Sequence, residues 1–141
     1  METLSLDIAQ KIAAEALVSA RNNKFRPMAV VVLDEAGLVK LTYREDGATA
    51  LRIDIAHGKA AAAWGMGVAS RTLLERAKEN PAFFNALAAT SGGKFVPQTG
   101  AIVITSANGT VLGAMGASGG TGDEDEQICI DGVLAAGLSH R

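Results

Sequence analysis

The sequence predicts an α+β domain, an antiparallel sheet with helices over at least one face, in the order α-β-β-helices-β-β-α. Three observations predict it. Two turn signals, "DEAG" and "ANG", each join a pair of apolar, β-branched runs. Helical periodicity precedes the first pair, fills the stretch between the pairs and follows the second. Single strands never alternate with single helices, so nothing points to parallel βαβ units.

The elements follow in order. From Ser5 to Asn23, Leu6, Ala9, Ile12, Ala13, Ala16, Leu17 and Ala20 recur at helical spacing, with Ser5 as N-cap and Asp7 in the first turn. Pro27 breaks the helix, and "MAVVVLD" reads as a buried strand. Gly37 takes the tight position of "DEAG", and "LVKLTYR" returns as a second, antiparallel strand. A long helix is expected from about Thr49 to Val68. At about 100° per residue, Ile53, His57, Ala60 and Trp64 share one face, expected to be the buried one, with Arg52, Lys59 and Ala63 roughly opposite. Ser70 is read as the N-cap of a short helix to Lys78, and Asn80 as the cap of another from Pro81 to Ala89. "TSGGKFVPQTG" is a loop, "AIVITS" and "TVLGAMGAS" are strands, and a last helix runs from about Asp123 to Leu138.

Composition bounds the function. The 141 residues are 48% hydrophobic and 20% charged, as suits one compact domain over residues 1–141. The net charge is −2 and no run of Lys or Arg exceeds one residue, so no basic stripe offers itself to nucleic acid. One cysteine, Cys129, excludes an internal disulfide and suggests a reducing, cytoplasmic setting. "METLSLDIAQ" has no basic n-region or long apolar run, so neither a signal peptide nor a membrane span is predicted. Abundant alanine and glycine favour close packing between elements or subunits, and a homo-oligomer is expected.

The stretch "VLGAMGASGGTGDEDEQ" sets two signals against each other. A glycine-rich strand exit before a helix is the setting of phosphate-binding loops. Yet the spacing of Gly113, Gly116, Gly119, Gly120 and Gly122 fits neither G-x-G-x-x-G nor a P-loop, and Asp123 to Glu126 already occupy the helix N-terminus. The glycines are read as a close-packing strand exit and the acids as caps, with Ser118 or Thr121 as a side-chain cap.

"GKFVPQTGAIVITSANGTVLGAMGASGGTGDEDEQICIDG", preceded by "AVVVLDEAGLVKLTYREDGA" and "IDIAHGKAAAAWGMG", strongly resembles the GlcG/HbpS-like family, colinearly from about Leu4 to Leu138. The resemblance implies a profilin-like fold, with an antiparallel sheet of about five strands flanked by helices. It also implies a small-ligand-binding domain, often oligomeric, with haem or another tetrapyrrole as the leading ligand. A related domain closes PduO-type cobalamin adenosyltransferases, and small relatives accompany glycolate, diol and glycerol metabolism. The resemblance implies no particular reaction. The histidine that it places near the first helix end in haem-binding members is absent, since "SARNNKFRP" holds none.

Candidate site residues divide by chemistry. His57, the only internal histidine, is a possible haem or metal ligand, with Asp54 three residues before it to orient the ring. Arg44 and Lys59 are expected to meet a propionate or other carboxylate together, beside Asp46, which otherwise caps the following helix. Gly92, Gly93 and Pro97 are expected to form a pocket rim, because "SGGKFVPQTGA" is long for a connection in so small a domain. No G-x-S-x-G elbow places a serine for attack, Cys129 is read as a packed thiol, and no metal site is predicted. Three function classes remain: a tetrapyrrole-binding domain, a non-enzymatic oligomeric module that docks a metabolic partner, and an enzyme on a small hydroxy acid or aldehyde.

Overall fold

The computed structural model describes residues 3–141; Met1 and Glu2, part of the opening stretch read above for a signal peptide, lie outside the described residues. The elements are α1 (Leu6–Asn22), β1 (Ala29–Asp34), β2 (Val39–Arg44), α2 (Arg52–Met66), α3 (Ser70–Glu79), α4 (Pro81–Thr90), β3 (Ala101–Thr105), β4 (Val111–Ser118), α5 (Gly122–Ala135) and β5 (Ser139–His140). The five strands form one antiparallel sheet in the order β2-β1-β4-β3-β5. This is the predicted α+β architecture.

Alternation along the strands gives the sheet two apolar faces. Val30 and Val32 of β1, Ile102 and Ile104 of β3 and Met115 of β4 point to one side, where α1 and α5 cover them. Val31, Leu33, Ala101, Val103 and Ala114 point to the other, under the alanines of α2. A helix with so many small residues sits very close to the sheet. A Cβ on Gly116 of β4 would fall 2.3 Å from the Ala56 carbonyl oxygen of α2, so only glycine permits this approach. On the far side, a Cβ on Gly132 would fall 2.4 Å from the Ile12 carbonyl oxygen, and the same device joins α5 to α1.

Local signals read correctly where side chains act on near neighbours. Ser5 caps α1, its hydroxyl accepting from Ile8 N–H at 3.2 Å. Thr121 caps α5 in a full capping box with Glu124. Three expectations need correcting. Ser70 is the first residue of α3 rather than its cap; its buried hydroxyl instead accepts from the Ala101 N–H at 2.9 Å, tying α3 to β3. Asn80 precedes α4 but makes no side-chain cap. The last helix stops at Ala135, because the chain turns to form β5, and Arg141 exchanges two backbone hydrogen bonds with Val103 at 2.8 and 3.0 Å. No helix among the described residues is long and apolar enough to cross a membrane.

Candidate functional site

Helix α2 separates two clefts of opposite character, and the loop between α4 and β3 contributes to both. That loop is pinned to α2 at its middle, where Val96 N–H donates to the Gly58 carbonyl at 3.1 Å. A Cβ on Gly58 would stand 2.4 Å from Val96 Cγ2, so the loop lies directly on the helix. Before this clamp the loop gives Ser91, Lys94 and Phe95 to one cleft; after it, Gln98 and Thr99 to the other.

The first cleft is an apolar groove of about 460 Å³, within the usual range of small-molecule sites. Leu38 and Val39 form one wall, Leu87 and Phe95 the other, with Trp64 and Met66 between. Trp64 is held from both sides. Its indole Nε1 donates to the Glu35 carbonyl at 3.1 Å, and its ring lies where a Cβ on Gly37 (φ +78°) would come within 2.7 Å. The residue is nonetheless 40% exposed. The face of α2 expected to be buried is therefore split: Ala60 is buried, but His57 and Trp64 look into the groove. The packed face is Ala56, Gly58, Lys59, Ala60, Ala62 and Ala63.

His57 and Lys94 are the charged-capable groups of this groove. Burial is the main force holding the His57 imidazole below its ordinary pKa, helped by the Lys94 charge and opposed by Asp54. At neutral pH the ring is therefore neutral, the form that can ligate a metal.

The second cleft, about 440 Å³, is polar. Lys59 and Asp125 lie at its floor, 5% and 2% exposed, with Nζ donating to Oδ2 at 3.0 Å and to the Ala117 carbonyl at 3.1 Å. Asp125 Oδ1 also accepts from Gly120 N–H at 2.9 Å. Desolvation raises the Asp125 carboxyl above the ordinary aspartate value, and Lys59 and the Gly120 hydrogen bond offset this only in part. Lys59 is thus neither solvated nor on a free helix face. Gly100, at φ +139°, leaves room for it, since a Cβ there would fall 2.6 Å from Lys59 Nζ. At the cleft wall Arg52 donates to Ser118 Oγ at 3.2 Å.

Arg44 does not join Lys59. It donates to the Ala48 carbonyl at 2.9 Å and borders a separate notch with Arg21, Pro27, Glu45 and Asp46, where Arg21 pairs with Glu45 at 3.0 Å. Asp46 is exposed in the turn after β2 and does not cap α2, which begins only at Arg52 after an uncapped Leu51. Gly92 and Gly93, at φ +70° and +83°, turn the loop in the open, and Pro97 follows the clamp; none of the three lines either cleft, which their neighbours do. Cys129 is buried, and desolvation pushes its thiol far up.

Sequence reasoning passed over Arg52, Asp125, Trp64 and Lys94. Asp125 was legible: it shares the buried stripe of α5 with Ile128, Cys129, Gly132 and Val133 at helical spacing, which sets it apart from the other acids of its run. Asp123 and Glu126 point elsewhere and both hold Arg71 of α3.

Residues 4–134 match the family described as haem degrading protein HbpS-like. Among curated proteins none matches the chain. Of solved structures, the fold is similar to that of a PduOC–haem complex, with 24% identity, 97% of each chain covered and a TM-score of 0.86. It is similar to that of ORFY from Klebsiella pneumoniae, with 23% identity, 97% of this chain and 92% of that one covered and a TM-score of 0.87. HbpS is 27% identical, with 95% of this chain and 90% of that one covered and a TM-score of 0.81.

Proposed function

From the premise that the chain belongs to the haem degrading protein HbpS-like family, we propose that it binds a tetrapyrrole, haem first, in the apolar groove beside Trp64. The observation that carries this reading is the meeting of a neutral imidazole, His57, with one cationic side chain, Lys94, in an otherwise apolar cleft. A haem has the same division: a flat apolar body, an iron that takes an imidazole, and carboxylates at one edge. Leu38, Val39, Leu87 and Phe95 would cover the macrocycle, His57 would hold the iron and Lys94 would meet a propionate. When bound, the haem supplies the redox and ligand-binding chemistry of its iron; the chain supplies a dry wall and a fixed orientation. The resemblance places the haem histidine near the first helix end, where this chain has none, and His57 fills the need from α2.

Titration of haemin into the purified protein, followed at the Soret band, tests the reading. Saturable one-site binding, weakened about tenfold or more in His57→Ala and unchanged in Arg44→Ala, supports it. Non-saturating uptake indifferent to His57 overturns it.

The exposed apolar edge favours a second, compatible reading, self-association. β2 is a sheet edge, and Leu38 and Val39 on it are 66% and 48% exposed. Such an edge is a template for pairing with another chain. A second copy laid there would also roof the groove. Light scattering on the wild type and Val39→Lys checks it: an oligomer that falls to monomer supports this reading, and a wild-type monomer ends it.

A further inference from the structure

The polar cleft on the other side of α2 plays no part in tetrapyrrole binding, yet it gathers more buried polar side chains than any other place described. Lys59, Asp125, Ser118 and Thr99 all line it and are 5%, 2%, 1% and 9% exposed. We propose that this cleft is a second ligand site, for a small hydroxylated carboxylate held by Arg52.

The hydrogen-bonding capacity of Arg52 carries the argument. Lys59 and Asp125 neutralise each other at 3.0 Å. Asp123, at the cleft mouth, shares Arg71 with Glu126. Arg52 makes no ion pair among the described residues, and its one hydrogen bond goes to the neutral Ser118 hydroxyl at 3.2 Å. A guanidinium has five N–H donors in a planar fork suited to a carboxylate. The Arg52 fork, half-buried in the cleft and in contact with no carboxylate among the described residues, is open to one from the ligand.

The rest of the lining sets the ligand's size and polarity. Ile55 and Leu74 are its apolar side chains, so a largely apolar body gains little here, in contrast to the groove beside Trp64. The hydroxyls of Thr99 and Ser118, each able to donate and accept, suit a hydroxyl neighbouring the carboxylate. Around the α5 N-terminus Gly120 N–H is spent on Asp125, Thr121 N–H on Glu124 and Glu124 N–H on Thr121 Oγ1, so recognition is assigned to the side chains. The buried Lys59–Asp125 pair fixes the floor against which a ligand of a few heavy atoms rests.

Amide NMR spectra of the full chain, titrated with L-lactate and separately with propane-1,2-diol, read this out residue by residue. Saturable lactate shifts centred on Ser118 to Asp125, weakened about tenfold or more in Arg52→Gln, support the site. The conservative Arg52→Lys variant keeps the charge but loses the fork, and an intermediate affinity is expected. Absence of saturable shifts, equal binding of the diol, or wild-type affinity in Arg52→Gln each overturns it. Haemin titration of the same variants separates the two readings, since Arg52→Gln leaves the groove beside Trp64 untouched.

Discussion

The two sides of α2 solve the problem of an open cleft in opposite ways. On the Trp64 side the chain leaves apolar surface in contact with solvent and places two titratable groups at it. On the Lys59 side it buries charge and matches it internally. The difference teaches where each cleft is fragile. The groove tolerates change because its walls come from separate elements and neither of its ionisable groups is half of a buried ion pair. The polar floor does not, since each half of its ion pair depends on the other.

Lys59→Met sharpens that contrast most. It leaves Asp125 buried without a counter-charge, which costs about 3–5 kcal/mol. The pH dependence identifies the cause. Burial already raises the Asp125 carboxyl above its ordinary value, and Lys59 is the largest influence holding it down. Without Lys59 the carboxyl rises further, so the folded state binds a proton that the unfolded chain has released. The loss is therefore full only above the raised folded-state value and shrinks as pH falls toward the ordinary aspartate range near 3.9. Urea unfolding at pH 7 and pH 4.5 checks this; an equal loss at both would absolve Asp125. The double change Lys59→Met with Asp125→Leu removes both charges and restores most of the stability.

The layer that holds the two clefts apart is next. Gly116→Val drives a side chain into the Ala56 carbonyl, 2.3 Å from where its Cβ must sit, and costs about 2–3 kcal/mol. Gly65→Ala, on the same helix but with nothing within 4 Å of the new methyl, changes the sign and stabilises by about 0.5 kcal/mol. Thermal unfolding of the pair tests whether the α2–β4 contact, and not glycine content as such, sets the stability.

How legible this was in the sequence depended on distance along the chain. The α1 periodicity, the Ser5 cap, the two turns and the apolar run of β1 are local, and each predicted its element. β5 escaped because two residues carry no period; only its pairing with β3 makes it a strand. The buried face of α2 escaped because alanine packs on either side without a strong pattern. Lys59 was expected to meet a ligand carboxylate, and its pairing with Asp125 escaped because that partner lies 66 residues away on α5. The expected meeting of Arg44 with Lys59 failed for the same reason: both are cationic, but β2 and the middle of α2 carry them to different clefts. The family resemblance compensated for the fold, and not for these contacts.

On the groove side the expected effects are smaller. His57 sits below the ordinary histidine value of 6.5, so its neutral form persists through neutral pH. The sign follows: folding favours the unprotonated ring, and that contribution is present above 6.5 and lost as pH falls below it. Haemin affinity should hold from pH 8 to about 6.5 and then fall, and His57→Ala should flatten the profile as well as lower it about tenfold. A wild-type profile with no acid limb would remove His57 from the site.

Lys94 gives the smallest effect and the finest test, because it acts on the groove twice. It is exposed, so its direct attraction for a ligand carboxylate is screened and contributes about 0.2–1 kcal/mol, a few-fold in affinity. Its charge also helps to keep His57 unprotonated. Lys94→Ala removes both influences, and they separate under different conditions. The few-fold loss of haemin affinity at neutral pH should fade as salt is raised toward 0.5 M, where the screening length is only about 4–5 Å. The His57 titration, followed by imidazole NMR without haemin, should move upward toward its ordinary value. If the affinity loss stays constant with salt, Lys94 acts by packing its stem against Phe95 and not by charge. If His57 does not move, its lowered pKa belongs to burial alone, and the groove's two polar groups work independently.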